Sequence, residues 1–185
     1  MRLGAPAPGA PLVIGLGGNV GGEAAVLERF RRAREALGAL GELRAAPLYR
    51  TAAITWPSPP GSPARSGPAQ PAFLNTAVRL RIADLTPGEL IATVLELERL
   101  LGRDRRGEPR WGPRTIDLDV LVWGDRVVRS RELEVPHPRL AERRFALAPL
   151  AALVGDDAVL PGSASTVGEL LARVSAQSVE SLDDW

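Results

Sequence analysis

The sequence predicts an α+β fold with a ferredoxin-like β-α-β-β-α-β core, followed by extra C-terminal strands and helices. Two observations support this prediction. Apolar side chains alternate with polar ones in some segments and recur at helical spacing in others, and these segments follow one another in the order of that core. We expect an antiparallel sheet with helices packed on one face, which leaves the other face free to hold a ligand.

The first half of the core is expected to contain three strands and one helix. Residues 11–16 are an apolar run between proline and glycine, which is typical of a buried strand. Residues 23–40 carry apolar side chains at helical spacing, and residues 43–49 favour a second strand. In residues 73–83 the even-numbered side chains are mostly apolar, so this segment is expected to be a third, half-buried strand.

The second helix has a clear start. Thr86 and Glu89 form a capping-box pattern with Pro87 at the first helical position, and Gly102 is expected to end the helix. Residues 115–123 then predict a strand. Its expected core-facing side chains are Ile116, Leu118, Val120 and Val122.

The elements after this strand are shorter. Gly124 is expected to turn the chain into a short partner strand at 127–128. A further helix is expected over residues 140–153, and a second capping box at Thr166 predicts a last helix to about Val174.

Length and composition are those of one globular domain over residues 1–185, because 45% of the residues are hydrophobic and 24% are charged. The absence of cysteine excludes disulfides, thiolate metal sites and cysteine nucleophiles. No apolar run is long enough for a membrane helix, and residues 1–10 predict only a short tail. We therefore expect a cytoplasmic protein that does not bind membranes.

Positive charge is concentrated in the centre of the chain. Residues 99–144 contain twelve Arg against eight Asp or Glu, whereas the net charge of the whole chain is +1. This pattern favours an anionic ligand. All 23 basic residues are Arg, which codon bias explains most simply, and the lack of Lys excludes Schiff-base chemistry and the lysine of a phosphate loop.

Asp117 and Asp119 are the sharpest local feature. On a strand they point to the same side, with Cα atoms about 6–7 Å apart. Paired carboxylates of this kind suit Mg²⁺ together with substrate phosphates, although a solvated strand face would look the same. A cluster of arginines lies just upstream and favours phosphoryl or pyrophosphoryl transfer. Its members are Arg103, Arg105, Arg106, Arg110 and Arg114.

Other candidate residues are less specific. The glycine-rich segment 15–21 lacks the spacing of a phosphate loop, so we interpret it as a tight turn in which Asn19 makes a local backbone bond. His137 is the single histidine, and a structural role or a bond to phosphate would both explain it. Three aromatic residues near the polar motifs favour a slot for a flat ligand, although core packing would explain any one of them. They are Phe73, Trp111 and Phe145.

Together these segments resemble the 6-hydroxymethyl-7,8-dihydropterin pyrophosphokinases of folate biosynthesis. The most specific motif is Arg110-Trp-Gly-Pro-Arg-Thr-Ile-Asp-Leu-Asp119. The supporting motifs are Gly15-Leu-Gly-Gly-Asn19, Leu48-Tyr-Arg-Thr51, Phe73-Leu-Asn75, Leu97-Glu98 with Gly102-Arg103, and Val135-Pro-His-Pro138 with Arg143-Arg-Phe145. They span about residues 12–153, in the family's order.

The resemblance implies transfer of the β,γ-pyrophosphoryl group of ATP to the hydroxymethyl group of a reduced pterin, with AMP as the leaving group and two Mg²⁺ ions. Asp117 and Asp119 would hold both metals and, with Arg103 and Arg114, form the catalytic set. The implied pterin site comprises Thr51, Phe73, Asn75, Trp111 and Phe145. The implied ATP site comprises Glu98, Arg103, Arg110, Trp111, Val120, His137 and Arg143. Loops 55–71 and 103–113 would border the active site.

The competing hypotheses are non-catalytic. Ferredoxin-like sheets also bind single-stranded RNA through aromatic side chains on the sheet face. The central strands here lack that aromatic pattern, and the Asp pair would repel phosphate without a metal. An interaction domain that uses the proline-rich loop is a third hypothesis. We expect a monomer that acts on small molecules and binds no nucleic acid.

Overall fold

The structure is a computed structural model, which describes residues 11–53, 70–82, 85–106, 108, 112–182 and 184–185. The tail 1–10 and all but the last two residues of loop 55–71 lie outside this part of the chain, as do four positions of loop 103–113. The elements are β1 (Pro11–Gly18), α1 (Glu23–Gly38), β2 (Gly41–Ala45), β3 (Tyr49–Thr51), β4 (Phe73–Ile82), α2 (Pro87–Leu100), β5 (Asp117–Trp123), β6 (Val128–Arg129), β7 (Glu134–Val135), a 3₁₀ turn (Leu140–Glu142), α3 (Arg144–Val154), α4 (Val167–Arg173) and β8 (Glu180–Ser181).

The main sheet is antiparallel and has β1 near its centre. The strand order is β5-β1-β4-β3-β8, and β2 also pairs with β4. β2 and β3 lie end to end along one edge of β4, because residues 41–45 pair with 78–82 and residues 49–51 pair with 73–75. The single strand expected at 43–49 is therefore two strands. The partner strand expected at 127–128 was also wrongly assigned, since β6 pairs with β7 and not with β5.

The first face of the sheet is covered by α1 and α2, as predicted. The even-numbered side chains of β1 and β4, such as Ile14 and Leu80, pack there against Phe30 of α1 and Val94 of α2, and all four are almost completely buried. At about 25 cal/mol per Å² of apolar surface, this layer is the main source of stability for the sheet.

The second face is not free along its whole length, which corrects the prediction that helices lie on one face. Leu147 and Leu150 of α3 and Val167 of α4 pack against Val13 and Ala77 of the sheet. Helical periodicity identifies the apolar side of α3 but not which face of a sheet it covers, so this arrangement could not be predicted from local pattern. Among the described residues, one end of the second face remains open, next to the Asp pair.

A β-bulge in β5 shapes that open end. Val13 pairs with Val122, whereas the next residue, Ile14, pairs with Val120, so Leu121 is the extra residue. After the bulge the alternation changes phase. Val122 consequently packs in the α3 layer with Val13 and not, as expected, on the side of Val120.

The chain beyond α4 returns to the sheet. β8 pairs with β3, and the indole N–H of Trp185 donates to the carbonyl oxygen of Ala46 over 3.0 Å. The Trp185 ring packs edge-on against Phe30, with 5.9 Å between ring centroids. No strand was expected here, because β8 contains only two exposed residues.

Among the helices of the described residues, none has both the length and the apolar character that a membrane span requires.

The predicted capping box at the start of α2 is confirmed. The Glu89 N–H donates to Thr86 Oγ1 over 3.2 Å, and the Thr86 N–H donates to Glu89 Oε2 over 2.8 Å. We expect Thr86→Ala to lower the free energy of unfolding by about 1 kcal/mol, because a helix N–H then loses its acceptor. Urea denaturation measures this loss, and Thr86→Ser, which keeps the hydroxyl, should recover most of it. Equal stability of wild type and Thr86→Ala would contradict the assignment.

Candidate active site

The open end of the second sheet face is a cleft of about 340 Å³. Its floor is the sheet itself, and its walls come from the β4 and β5 edges and from the segment before α3. Three groups of candidate side chains meet there: the acid pair Asp117 and Asp119, a cationic group, and a polar and aromatic group. The cationic group is Arg114 and Arg143, with His137 beside them, and the last group is Thr51, Phe73, Asn75 and Phe145.

Glycine residues of β1 form the centre of the floor. Gly17 lies between Asp117 on β5 and Asn75 on β4, and Gly15 lies beside Asp119. A Cβ at position 17 would lie 3.4 Å from Asn75 Oδ1 and 3.9 Å from the Asp117 Cβ. Glycine therefore leaves the space between the acid and the amide open to a ligand.

This arrangement corrects the interpretation of the glycine-rich segment as a turn. Residues 15–18 belong to β1, and the turn follows at residues 20–21. The signal was available in the sequence, because Gly15 and Gly17 continue the alternation that starts with Val13 and therefore share its face.

Asp117 and Asp119 share one face at the start of β5, as predicted, and their side chains are 36% and 38% exposed to the cleft. Burial and, after it, the neighbouring charge of Asp117 raise the pKa of Asp119 to about 6, against a smaller opposing effect of Arg143. Two carboxylates in this position repel each other and favour binding of a cation or a proton between them.

Arg103 and Glu98 stand behind the acid pair. Glu98 is 1% exposed and accepts from the Leu118 N–H over 2.8 Å and from Arg103 Nη1 over 2.5 Å. The same Arg103 Nη1 donates to Asp117, and Arg103 Nε donates to Glu108 over 3.1 Å. Glu98, expected on the ATP side, is therefore a buried anchor for Arg103 and for the backbone of β5.

Arg114 lines the cleft just before β5. Its Nη1 atom lies 3.3 Å from Glu108 Oε2, so Arg114 and Arg103 share Glu108 as a partner. Arg103 contacts Asp117 directly and Arg114 lines the same cleft, so the cleft carries positive charge near Asp117.

Asn75 and Thr51 form the polar end of the cleft. Asn75 Nδ2 donates to Thr51 Oγ1 over 2.9 Å, and the two residues are 4% and 8% exposed. This bond fixes the orientation of the amide and leaves its oxygen on the side of Gly17. Phe73 and Phe145 line the cleft nearby and provide flat apolar surfaces.

His137 and Arg143 face Asp119 from the opposite wall. His137 Nε2 and Arg143 Nη1 each lie 3.9 Å from Asp119 Oδ2. His137 Nδ1 accepts from the Arg139 N–H over 3.2 Å, which assigns the ring proton to Nε2. Burial, followed by the charge of Arg143, lowers the pKa of His137 to about 4, so the ring is neutral at pH 7 and can donate from Nε2.

Some candidates are not brought together by the structure. The Val120 side chain packs in the core with α1 and α2, because it alternates with Asp119, so a contact of Val120 in the ATP site would have to come from its backbone. Arg110 and Trp111 lie outside the described residues. Sequence reasoning missed Gly15, Gly17, Leu121, Pro138 and Arg139, which also line the cleft.

Within the described part of the chain, no group of three or more His, Asp or Glu side chains comes close enough to hold a metal ion. The donor set is the acid pair alone. A hard cation at this position would therefore need oxygen ligands from a substrate or from water.

Comparisons with known proteins agree on one family. Residues 13–155 match the family model described as 7,8-dihydro-6-hydroxymethylpterin-pyrophosphokinase. The chain is 36% identical over 170 residues to a 2-amino-4-hydroxy-6-hydroxymethyldihydropteridine pyrophosphokinase of Synechocystis sp., covering 90% of this chain and 77% of that protein. It is 37% identical over 172 residues to the Methylorubrum extorquens protein of the same name, covering 92% of this chain and 97% of that one.

Solved structures support the fold. The Plasmodium falciparum HPPK-DHPS A437G structure with pteroate superimposes with a TM-score of 0.63 at 13% identity, covering 91% of this chain. A second HPPK-DHPS structure from that organism, with pterin and p-hydroxybenzoate, gives a TM-score of 0.66 at 13% identity and covers 94% of this chain. The chain spans less than half of each of those chains, 43% and 45%.

Proposed function

The chain belongs to the 7,8-dihydro-6-hydroxymethylpterin-pyrophosphokinase family, and we propose from its cleft how its own residues carry out that pyrophosphokinase reaction of folate biosynthesis. The enzyme transfers the pyrophosphoryl group of ATP to the hydroxymethyl group of 6-hydroxymethyl-7,8-dihydropterin. The observation that carries the residue assignment is that an acid pair lies between a polar, aromatic end and a cationic end of one cleft.

The pterin is proposed to occupy the end formed by Thr51, Asn75, Phe73 and Phe145. Among the described residues, the Asn75 amide oxygen accepts no hydrogen bond while Thr51 holds the nitrogen, so the amide is oriented to accept from the pterin edge. The face of the Phe145 ring can stack on the pterin. The heteroatoms of the pterin ring would then bond to fixed protein groups in place of water. Trp111 is proposed to complete this slot, as the family motif implies.

ATP is proposed to lie along the cationic side. Arg114, Arg143 and neutral His137 can each donate to phosphate oxygens, and Arg103 adds charge beside Asp117. We propose Arg110 as a further ATP residue because it belongs to the motif at residues 110–119 that resembles the family. For Val120, only its backbone remains a candidate contact, because its side chain is in the core.

In the proposed step the pterin hydroxyl oxygen attacks the β-phosphorus of ATP. The bond from that phosphorus to the α,β-bridging oxygen breaks, and AMP leaves with the bonding electrons. Arg103 and Arg114 stabilise the charge that develops on the transferred group and on the leaving oxygen. The hydroxyl proton needs an acceptor, and Asp119 is our candidate because its side chain lines the cleft and because burial and the charge of Asp117 raise its pKa.

The acid pair also fits Mg²⁺, and we propose that two ions bind there with ATP. The fit rests on two carboxylates on one strand face, whose mutual repulsion a cation would relieve. When bound, Mg²⁺ would act as a Lewis acid that neutralises charge on the phosphates. Asp117 would then divide its oxygens between the metal and Arg103, which keeps the arginine next to the phosphates.

We propose four further properties of this protein. The strand order of β1 with β4, β5 and the in-line pair β2 and β3 supports a ferredoxin-like core. We also propose one domain over the whole chain and a monomeric, cytoplasmic enzyme. Sedimentation of the purified protein tests the monomer.

AMP release from ATP tests the function. We expect it to require both the pterin and Mg²⁺. Retention of single-stranded RNA by a protein that releases no AMP would instead favour the binding-module hypothesis.

Removing the Asn75 amide should weaken pterin binding more than it slows catalysis. We expect Asn75→Ala to raise the pterin Kd by about tenfold or more, because a lost hydrogen bond in a dry slot costs about 1–3 kcal/mol. Thr51→Val should act in the same direction because it frees the Asn75 amide to rotate. Calorimetry with the pterin measures both effects, and Thr51→Ser is the matched control that keeps the hydroxyl. An unchanged Kd in Asn75→Ala would remove this residue from the pterin site.

A further inference from the structure

We propose that Asn19 is a positioning residue that ties the ATP side of the cleft to its pterin side. The proposal rests on the function proposed above, because the two sides are defined by the substrates of that reaction. Asn19 follows β1, is 3% exposed and does not line the cleft, so it would act through the backbone of other residues.

The Asn19 side chain bonds two segments that are far apart in the sequence. Its Oδ1 atom accepts from the Arg114 N–H over 2.8 Å, across 95 positions. Its Nδ2 atom donates to the Pro71 carbonyl oxygen over 3.1 Å, across 52 positions. A side chain that served only its own turn would bond its neighbours. This geometry corrects the local role expected for Asn19.

The bond from the Arg114 N–H to Asn19 is one of two reciprocal hydrogen bonds between these residues. The Asn19 N–H donates back to the Arg114 carbonyl oxygen over 2.9 Å, and the Val20 N–H reaches the same oxygen over 3.2 Å. Arg114 precedes the first β5 residue, Asp117, so the sheet ladder does not hold it. Asn19 Oδ1 accepts from the Arg114 N–H, and we infer that this bond holds the backbone from which the Arg114 side chain enters the cleft.

The bond from Asn19 to Pro71 acts on the pterin side of the cleft. Pro71 stands two residues before Phe73, where β4 begins, and four residues before Asn75. Holding the Pro71 carbonyl therefore sets the path of the chain into the pterin end. Each atom of the Asn19 amide thus fixes one border of the cleft, and loss of the amide leaves two poorly solvated backbone groups without that partner.

Asn19→Ala tests this role through its effect on two separate constants. We expect kcat to fall by about tenfold or more, because a small displacement of a transition-state cation is costly, and the pterin Kd to rise about threefold or more. The decisive comparison is a double-mutant cycle with Arg114→Ala. If Asn19 acts on kcat through Arg114, Asn19→Ala should change kcat by less than about twofold once Arg114 is absent. The rise in pterin Kd should persist in that background.

Asn19→Asp is the second variant, for use also if Asn19→Ala does not fold. It keeps the oxygen that accepts from Arg114 and loses the donor to Pro71. We expect a kcat within about threefold of wild type and a raised pterin Kd. All constants are measured per folded molecule and below the melting temperature of each variant.

Three results would overturn the proposal: wild-type kcat and Kd in folded Asn19→Ala, full additivity with Arg114→Ala, or an unchanged pterin Kd in Asn19→Asp. A wild-type protein that makes no AMP would instead refute the proposed function, so the two failures can be told apart.

Discussion

Asp117→Asn and Asp119→Asn are each expected to abolish pyrophosphoryl transfer while the fold remains intact. The amide keeps the volume of the carboxyl group, and the opposite side of β5, with Leu118 and Val120, stays in the core. An amide supplies no charge to hold Mg²⁺, so Mg²⁺-dependent ATP binding should be lost and turnover should fall by at least about 100-fold. Asp119→Asn also relieves the repulsion that raises the pKa of Asp119, so its melting temperature should be at least that of wild type.

The matched control is Asp125→Asn, an exposed aspartate in the turn after β5. It should leave melting temperature, ATP binding and turnover unchanged. Stable Asp117→Asn and Asp119→Asn proteins with near-normal Mg²⁺-dependent activity would contradict the metal site and the role of the pair.

Arg103→Ala is expected to produce the second largest loss. Because Arg103 donates to Asp117 beside the proposed phosphates, its charge should matter most when the bond to AMP breaks. We expect kcat to fall by about 100-fold or more with a much smaller change in pterin Kd. Arg114→Ala should likewise lower kcat far more than it changes the pterin Kd, since Arg114 lines the cleft.

Stability provides a second readout for Arg103. Glu98, at 1% exposure, keeps the Leu118 N–H and Arg105 as partners after Arg103→Ala but loses its closest cation, so the melting temperature should fall. Arg103→Lys restores a charge but cannot reproduce the bonds that Nη1 makes to Glu98 and Asp117 together with the bond of Nε to Glu108, and intermediate values are expected. Arg99→Ala is the control, because within the described residues Arg99 forms its ion pair with Glu96 and both side chains are exposed. An unchanged kcat with a raised KM in Arg103→Ala would show ground-state binding instead.

The parts of the fold that were predictable depend on local physics. The capping boxes at Thr86 and Thr166 involve groups three residues apart, and both are present. The alternation in β4 placed Leu74 and Asn75 on opposite faces, because strand geometry has period two. The acid pair was predictable for the same reason.

The parts that could not be predicted depend on tertiary contacts. Nothing local marks Leu121 as a bulge residue, because the bulge exists only in the pairing of β5 with β1. The position of α3 on the second face depends on which apolar surfaces remain after α1 and α2 have packed. In the sequence, Glu98 does not differ from other acidic residues on an amphipathic helix, because its partners, Arg103 and the Leu118 N–H, reach it only in the folded structure. The bonds of Asn19 span so many positions that no local pattern indicates them.

The central claim is that this cleft transfers a pyrophosphoryl group from ATP to the pterin hydroxymethyl group. Phosphorus NMR of a reaction with ATP, Mg²⁺ and 6-hydroxymethyl-7,8-dihydropterin tests it most directly, because it identifies which phosphate bond breaks and where the phosphates go. We predict that AMP and a pterin diphosphate form in equal amounts, and that neither forms when the pterin is omitted. Formation of ADP with a pterin monophosphate, or AMP formation that does not need the pterin, would contradict the account.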